Sequence, residues 1–166
     1  MTISSTDIKE LREKSGAGVM DCRNALAETC GDMEKAHSLL KQRGVVKAEK
    51  KAVRAASQGL IASYIHHSGK IGAMVELNCE TDFVARTDDF KELARNLAMQ
   101  VAATAPKTLL PEANASDENN DSQASLLLQP FIKDAAKTIQ DVVMETSAKV
   151  GEAVKVKRFV RFELGE

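Results

Sequence analysis

The chain of 166 residues has no tryptophan and a single tyrosine, Tyr64, so it offers no aromatic platform on which nucleic-acid bases could stack. Its three cysteines, Cys22, Cys30 and Cys79, make an odd set without CxxC or paired-histidine spacing. That excludes a disulfide framework and a zinc site of recognisable pattern, and it points to reduced thiols. No stretch approaches the roughly 20 apolar residues of a membrane span, and the N-terminal MTISSTDIKELREK lacks the apolar core of a signal peptide. A soluble, cytoplasmic protein is expected. An excess of one charge is missing too: 23 Lys and Arg stand against 24 Asp and Glu, which argues against general nucleic-acid binding. A phosphate-cradling glycine-rich loop, GxSxG and HExxH are all absent. His66 and His67 are neighbours on an expected strand, so they point to opposite faces and are poorly placed to chelate one ion. Nothing near Cys22 supplies the histidine that a nucleophilic thiol needs. The chain is therefore expected to be a non-enzyme without catalytic residue, metal or cofactor.

What is present reads as an α+β protein. Residues 1–45 form a three-helix module punctuated by glycine. Ser4 and Asp7 have capping-box spacing, Gly16 and Gly18 end the first helix, Gly31 the second, and Gly44 the third, which Asp32 caps. A basic, Ala-rich linker helix follows at 46–57, carrying Lys47, Lys50, Lys51 and Arg54. It is read as a solvated linker, with a contact to a GTPase or nucleic acid as the sharper alternative. A core and dimerisation domain fills 58–166. Two alternating strands, 60–66 and 71–79, make a hairpin, and an amphipathic helix with Phe90, Leu93, Leu97 and Val101 ends before Pro106. A polar loop spans 106–124, a second helix runs over 137–150 to Gly151, and a last strand runs over 154–164. In that strand Val154, Val156, Val160, Phe162 and Leu164 are expected mostly on one face, with Lys155, Lys157, Arg161 and Glu163 opposite. The expected core is thus a three-stranded antiparallel sheet covered by helices.

One segment stands apart: Thr81, Asp82, Phe83, Val84, Ala85 and Arg86, between a strand and a helix. An aromatic beside a carboxylate at such a junction can project as a rigid wedge. On spacing alone the plainer reading is favoured, in which Phe83 caps the sheet, Asp82 caps a turn and Arg86 pairs with it.

Longer motifs change that balance. IKELREKSGAGVMDCRNALAETCGDMEKA at 8–36, NCETDFVAR at 78–86, QPFIKD at 129–134 and VKVKRFVRFELG at 154–165 resemble, in order, the hallmarks of translation elongation factor Ts. The resemblance implies a ubiquitin-associated-like helical domain followed by an α+β core. It further implies guanine-nucleotide exchange on elongation factor Tu, with Thr81, Asp82, Phe83 and Val84 entering the nucleotide-binding domain and displacing Mg²⁺. Arg12, Val19 and Met20 are implied to dock the helical domain on the same partner. The chain departs from the family pattern at Val19, where a second methionine is common. It departs also in length, since the 106–124 loop stands where many members carry a second core subdomain and a coiled-coil hairpin. The short form implies a homodimer. The alternatives are a helical-domain adaptor for a peptide or ubiquitin-like partner and, more weakly, an RNA-binding protein.

Overall fold

The computed structural model describes residues 4–51, 54–110 and 124–165, and of residues 45–51 the backbone alone. Helix α1 (Ser5–Ser15) opens with the expected capping box: the Asp7 carboxylate accepts from the Ser4 backbone N–H, while the Ser4 side chain caps the first turn. Gly16 closes it in the left-handed region. Helix α2 (Val19–Glu28) follows, and Asp32 caps α3 (Met33–Lys51) by accepting from the Lys35 N–H at 3.0 Å. Leu11, Cys22, Ala25, Leu26, Ala36 and Leu40 fill the small core between these helices.

Gly44 does not end α3, contrary to the sequence expectation. The helix runs on through it as far as Lys51, and residues 54–57 are not helical. The glycine serves close packing instead. A Cβ added there would lie 3.1 Å from Ala148 Cβ on a helix of the core, tighter than ordinary van der Waals contact. The side chains of Lys47, Lys50 and Lys51 lie outside the described residues.

Strands β1 (Gln58–Ile65) and β2 (Ile71–Cys79) form the expected hairpin, and β5 (Lys155–Glu163) pairs antiparallel with the other edge of β2, giving the order β1-β2-β5. Between β2 and β5 lie a one-turn helix α4 (Asp82–Ala85), the long α5 (Asp88–Thr104), a 3₁₀ turn (Leu126–Leu128), a small hairpin of β3 (Pro130–Phe131) and β4 (Asp134–Thr138), and α6 (Ile139–Val150). Helix α6 starts two residues later than expected, behind a Thr138–Asp141 capping box. Most of the polar 106–124 segment lies outside the described residues.

One sheet face packs against α5: Ala62, Ala73, Val75 and Leu77 meet Phe90, Leu93, Leu97 and Val101 in a second, larger core. The QPFIKD stretch is anchored to α5 through side-chain amides. Gln100 Nε2 donates to Gln129 Oε1 at 3.1 Å, and Gln100 Oε1 accepts from the Ile132 N–H at 2.9 Å.

The last strand corrects a second expectation. Leu77 pairs with Val156 and Glu76 with Arg158, leaving Lys157 as the extra residue of a β-bulge. A bulge shifts the alternation by one residue, so a strand with a constant sequence period changes face there. Val154 and Val156 therefore face the core, and beyond the bulge Phe159 takes over that role. Val160 and Phe162 turn to the outer face, with Leu164 following them into solvent. Arg161, expected outside, lies on the core side with its Nε donating to the Ala102 carbonyl.

Candidate functional site

The segment 81–86 follows directly on β2. Thr81 is extended and its side-chain oxygen accepts from the Val84 N–H, so threonine, not Asp82, caps α4. Within the single turn the side chains diverge. Val84 is buried in the larger core, whereas Phe83 leaves 77% of its surface in solvent, more than any other phenylalanine among the described residues. The plain reading in which Phe83 covers the sheet does not hold. Nor does Asp82 as the cap, but the pairing does: Arg86 donates to Asp82 Oδ2 at 2.7 Å across one helical turn.

The turn is fastened from several sides. The Thr81 N–H and Oγ1 donate to the two oxygens of Glu152 at 2.9 and 2.6 Å. Cys79 Sγ donates to the Thr81 carbonyl, and Thr87 Oγ1 to the Val84 carbonyl. Burial pushes the Cys79 thiol up, and the Glu152 charge adds to it, so this cysteine is a packed thiol and not a reactive one. Glu80, one residue before the cap, accepts from the Ala153 N–H at 2.8 Å and faces Arg54. Sequence reading missed Glu80 and Glu152 because their partners lie 73 and 71 residues away in the chain, and no local spacing signals them.

The other residues named from the sequence gather elsewhere. Arg12 sits in the last turn of α1, and Val19 and Met20 in the first turn of α2, on either side of the 16–18 turn. All three are exposed, while their neighbours Leu11 and Cys22 are buried. This brings a cation and two apolar side chains onto one end of the helical module.

Module and core meet where α3 packs on α6. Glu145 of α6 pairs with Lys41 of α3 at 2.8 Å and with Lys137 of β4 at 2.7 Å. Burial opposes the Glu145 charge, but the hydrogen bonds and charges of Lys137 and Lys41 outweigh it and hold the carboxyl below its usual range. The bond to Glu145 raises Lys41 correspondingly. Within the core, Lys149 of α6 pairs with Asp89 of α5 at 2.6 Å.

Among the described residues no cluster of His, Cys, Asp and Glu could hold a metal ion, and no helix is long and apolar enough to cross a membrane. What the surface does present is an outward phenylalanine on a braced turn and a separate apolar–cationic end of a helical module. The family model of elongation factor Ts matches residues 26–119, more than half of the chain. Elongation factor Ts of Desulfosudis oleivorans is 46% identical over 99% of this chain and 99% of its own length. That of Fervidobacterium nodosum is 45% identical with both chains fully covered, and that of Desulforamulus reducens 45% identical over 99% of this chain and 90% of its own. The alignments run over 195 to 197 positions, so these relatives carry residues that have no counterpart here. With identity at this level along its whole length, and with the order of motifs kept, the chain belongs to the elongation factor Ts family.

Proposed function

We propose that this chain is a guanine-nucleotide exchange factor for elongation factor Tu in translation elongation. In this reading the residues 81–84 enter the nucleotide-binding domain of the partner, Phe83 as the inserted ring and Asp82 beside it, and disturb its Mg²⁺ site. Thr81 and Val84 hold the turn, one by capping and one by burial. The exposed end of the helical module, with Arg12, Val19 and Met20, docks on another part of the same partner. The observation that carries the reading is Phe83 itself, a large apolar side chain held outside the core on a turn fixed at both ends.

Exchange follows from linkage and needs no covalent step. A factor that weakens nucleotide binding must itself be bound more weakly when nucleotide is present, by the same ratio. A ten-thousand-fold effect corresponds to about 5.5 kcal/mol. A buried aromatic hot spot is worth roughly 2–4 kcal/mol, and loss of Mg²⁺ removes charge neutralisation from the diphosphate. The hot spot covers part of that figure, and the remaining roughly 1.5–3.5 kcal/mol falls to the Mg²⁺ site.

The reading includes a homodimer. Ile61, Ile65, Met74, Val160, Phe162 and Leu164 stand exposed along the sheet face that α5 does not cover. Contiguous apolar surface of this kind marks an association site.

Stopped-flow release of labelled GDP from elongation factor Tu tests the proposal. Release is expected to accelerate and saturate with increasing factor. Binding without acceleration would favour an adaptor role for the helical module and overturn the exchange reading.

A further inference from the structure

A ring that must enter a partner's site gains from being held in one direction before contact, since positioning errors of about an ångström can cost on the order of a hundredfold in rate. Resting on the reading of Phe83 as the inserted group, we propose that Glu152 is a positioning residue for nucleotide exchange. Its carboxylate locks the Thr81 cap and so sets the direction in which Phe83 leaves the surface.

Glu152 is itself immobilised. It follows Gly151, which ends α6 in the left-handed region at φ 78°, its carbonyl accepts from Ser147 Oγ at 2.5 Å, and the next N–H, that of Ala153, is held by Glu80. From this fixed point the carboxylate takes both donors of Thr81. Because the Thr81 hydroxyl spends its proton on Glu152, the lone pairs of the same oxygen are left for the Val84 N–H. Helix α4 has only four residues, far too few to persist by its own hydrogen bonds. Its geometry is therefore borrowed from the cap and from Val84. Removing Glu152 frees the hydroxyl to rotate and leaves the Thr81 N–H without this acceptor, while Val84 and Cys79 still anchor the chain in the core. The turn stays attached, but Phe83 loses its fixed bearing. Glu80 completes the arrangement from the opposite direction, its carboxylate reaching from the β2 end to the turn before β5, so the two segments grip each other reciprocally.

The test measures release of labelled GDP from elongation factor Tu over a range of factor concentrations for Glu152→Ala, Thr81→Val, Thr81→Ser and Phe83→Ala, and for Glu152→Ala combined with Phe83→Ala. Glu152→Ala is expected to lower the saturating release rate roughly tenfold, with a smaller change in the half-saturating concentration. Thr81→Val should match it, and Thr81→Ser, which keeps the hydroxyl, should restore most of the rate. With Phe83 already removed, Glu152→Ala should have no further effect, because two residues acting through one ring are not additive.

A fully active Phe83→Ala would overturn the wedge reading and this proposal with it. An impaired Phe83→Ala beside an unimpaired Glu152→Ala would overturn the positioning role alone. So would an equal loss from Glu152→Ala with and without Phe83, the mark of a general structural effect. Should Glu152→Ala fail to fold, the threonine pair decides: a Thr81→Ser clearly faster than Thr81→Val supports the role, and equal rates or the reverse order overturn it.

Discussion

Phe83 and Val84 are adjacent apolar residues with opposite fates, one in solvent and one in the core. Truncating Phe83 removes little from the chain's own packing, so Phe83→Ala is expected to shift unfolding by less than ~1 kcal/mol. GDP release should nevertheless fall by at least about tenfold, the loss of a modest interface hot spot. Urea titration beside the release assay checks both parts, and a variant that unfolds instead would make Phe83 a core residue. Glu145 calls for a different experiment. Its folded carboxyl lies below the unfolded value, so its pairing with Lys41 and Lys137 stabilises the native state above the unfolded value and is lost as pH falls through the folded one. Glu145→Gln should lower the urea midpoint at about pH 7, and the difference from wild type should shrink toward about pH 3. A difference that does not change with pH would mean that packing, not charge, is what Glu145 contributes. At this scale the sequence was readable where a residue acts on near neighbours, as with the Ser4–Asp7 box or the Arg86–Asp82 pair. It was silent on Glu152, whose partner is brought to it only by the pairing of distant strands.

Elements were legible where a single period ran without interruption. Helix α5 and strand β2 follow the sequence expectation closely, because one face of each is continuously apolar and buried against the other. Three kinds of element were not. The hairpin β3-β4 and the 3₁₀ turn are too short for a period, and they are held by Gln100 and Gln129 across the chain. The β5 bulge reverses alternation without any break in composition. Gly44 looks like a helix stop but is a contact glycine, and only the position of Ala148 distinguishes the two. The two apolar clusters share no residue, which supports treating the helical module as a separable docking unit, although α3 runs past residue 45 to Lys51. Deleting residues 1–50 is therefore expected to leave a cooperatively folded core, somewhat destabilised because α6 loses Lys41 and the close face at Gly44. Affinity for elongation factor Tu should fall while the residual exchange depends still on Phe83. Circular dichroism and titration calorimetry would measure this, and an unchanged affinity would remove the docking role given to Arg12, Val19 and Met20.

At the scale of the whole molecule the sheet has one covered face and one open. On the open face the rows run across all three strands: Ile65 opposite Gly72 and Phe162, then Ser63 opposite Met74 and Val160, then Ile61 opposite Glu76 and Arg158. Ile65 leans over Gly72, where a Cβ would meet its Cδ1 at 2.8 Å, and a groove lined by Ile65, Met74, Phe162 and Leu164 runs beside it. The bulge in β5 is what assembles this surface, since without it Val160 and Phe162 would turn inward and Arg161 outward. A two-fold pairing of such faces uses each residue twice, so one charge introduced there is met by its own copy and is felt at both ends of the interface. Val160 lies in the middle row and is 41% exposed, so Val160→Glu should leave the fold intact in the monomer yet be poorly tolerated when buried between two sheets. Light scattering at micromolar concentration is expected to give a dimer for the wild type and a monomer for Val160→Glu. Circular dichroism should be unchanged, and GDP release by the variant should be reduced. A wild type that is monomeric and fully active at that concentration would refute the dimer. A Val160→Glu variant that remains dimeric would move the interface off this face.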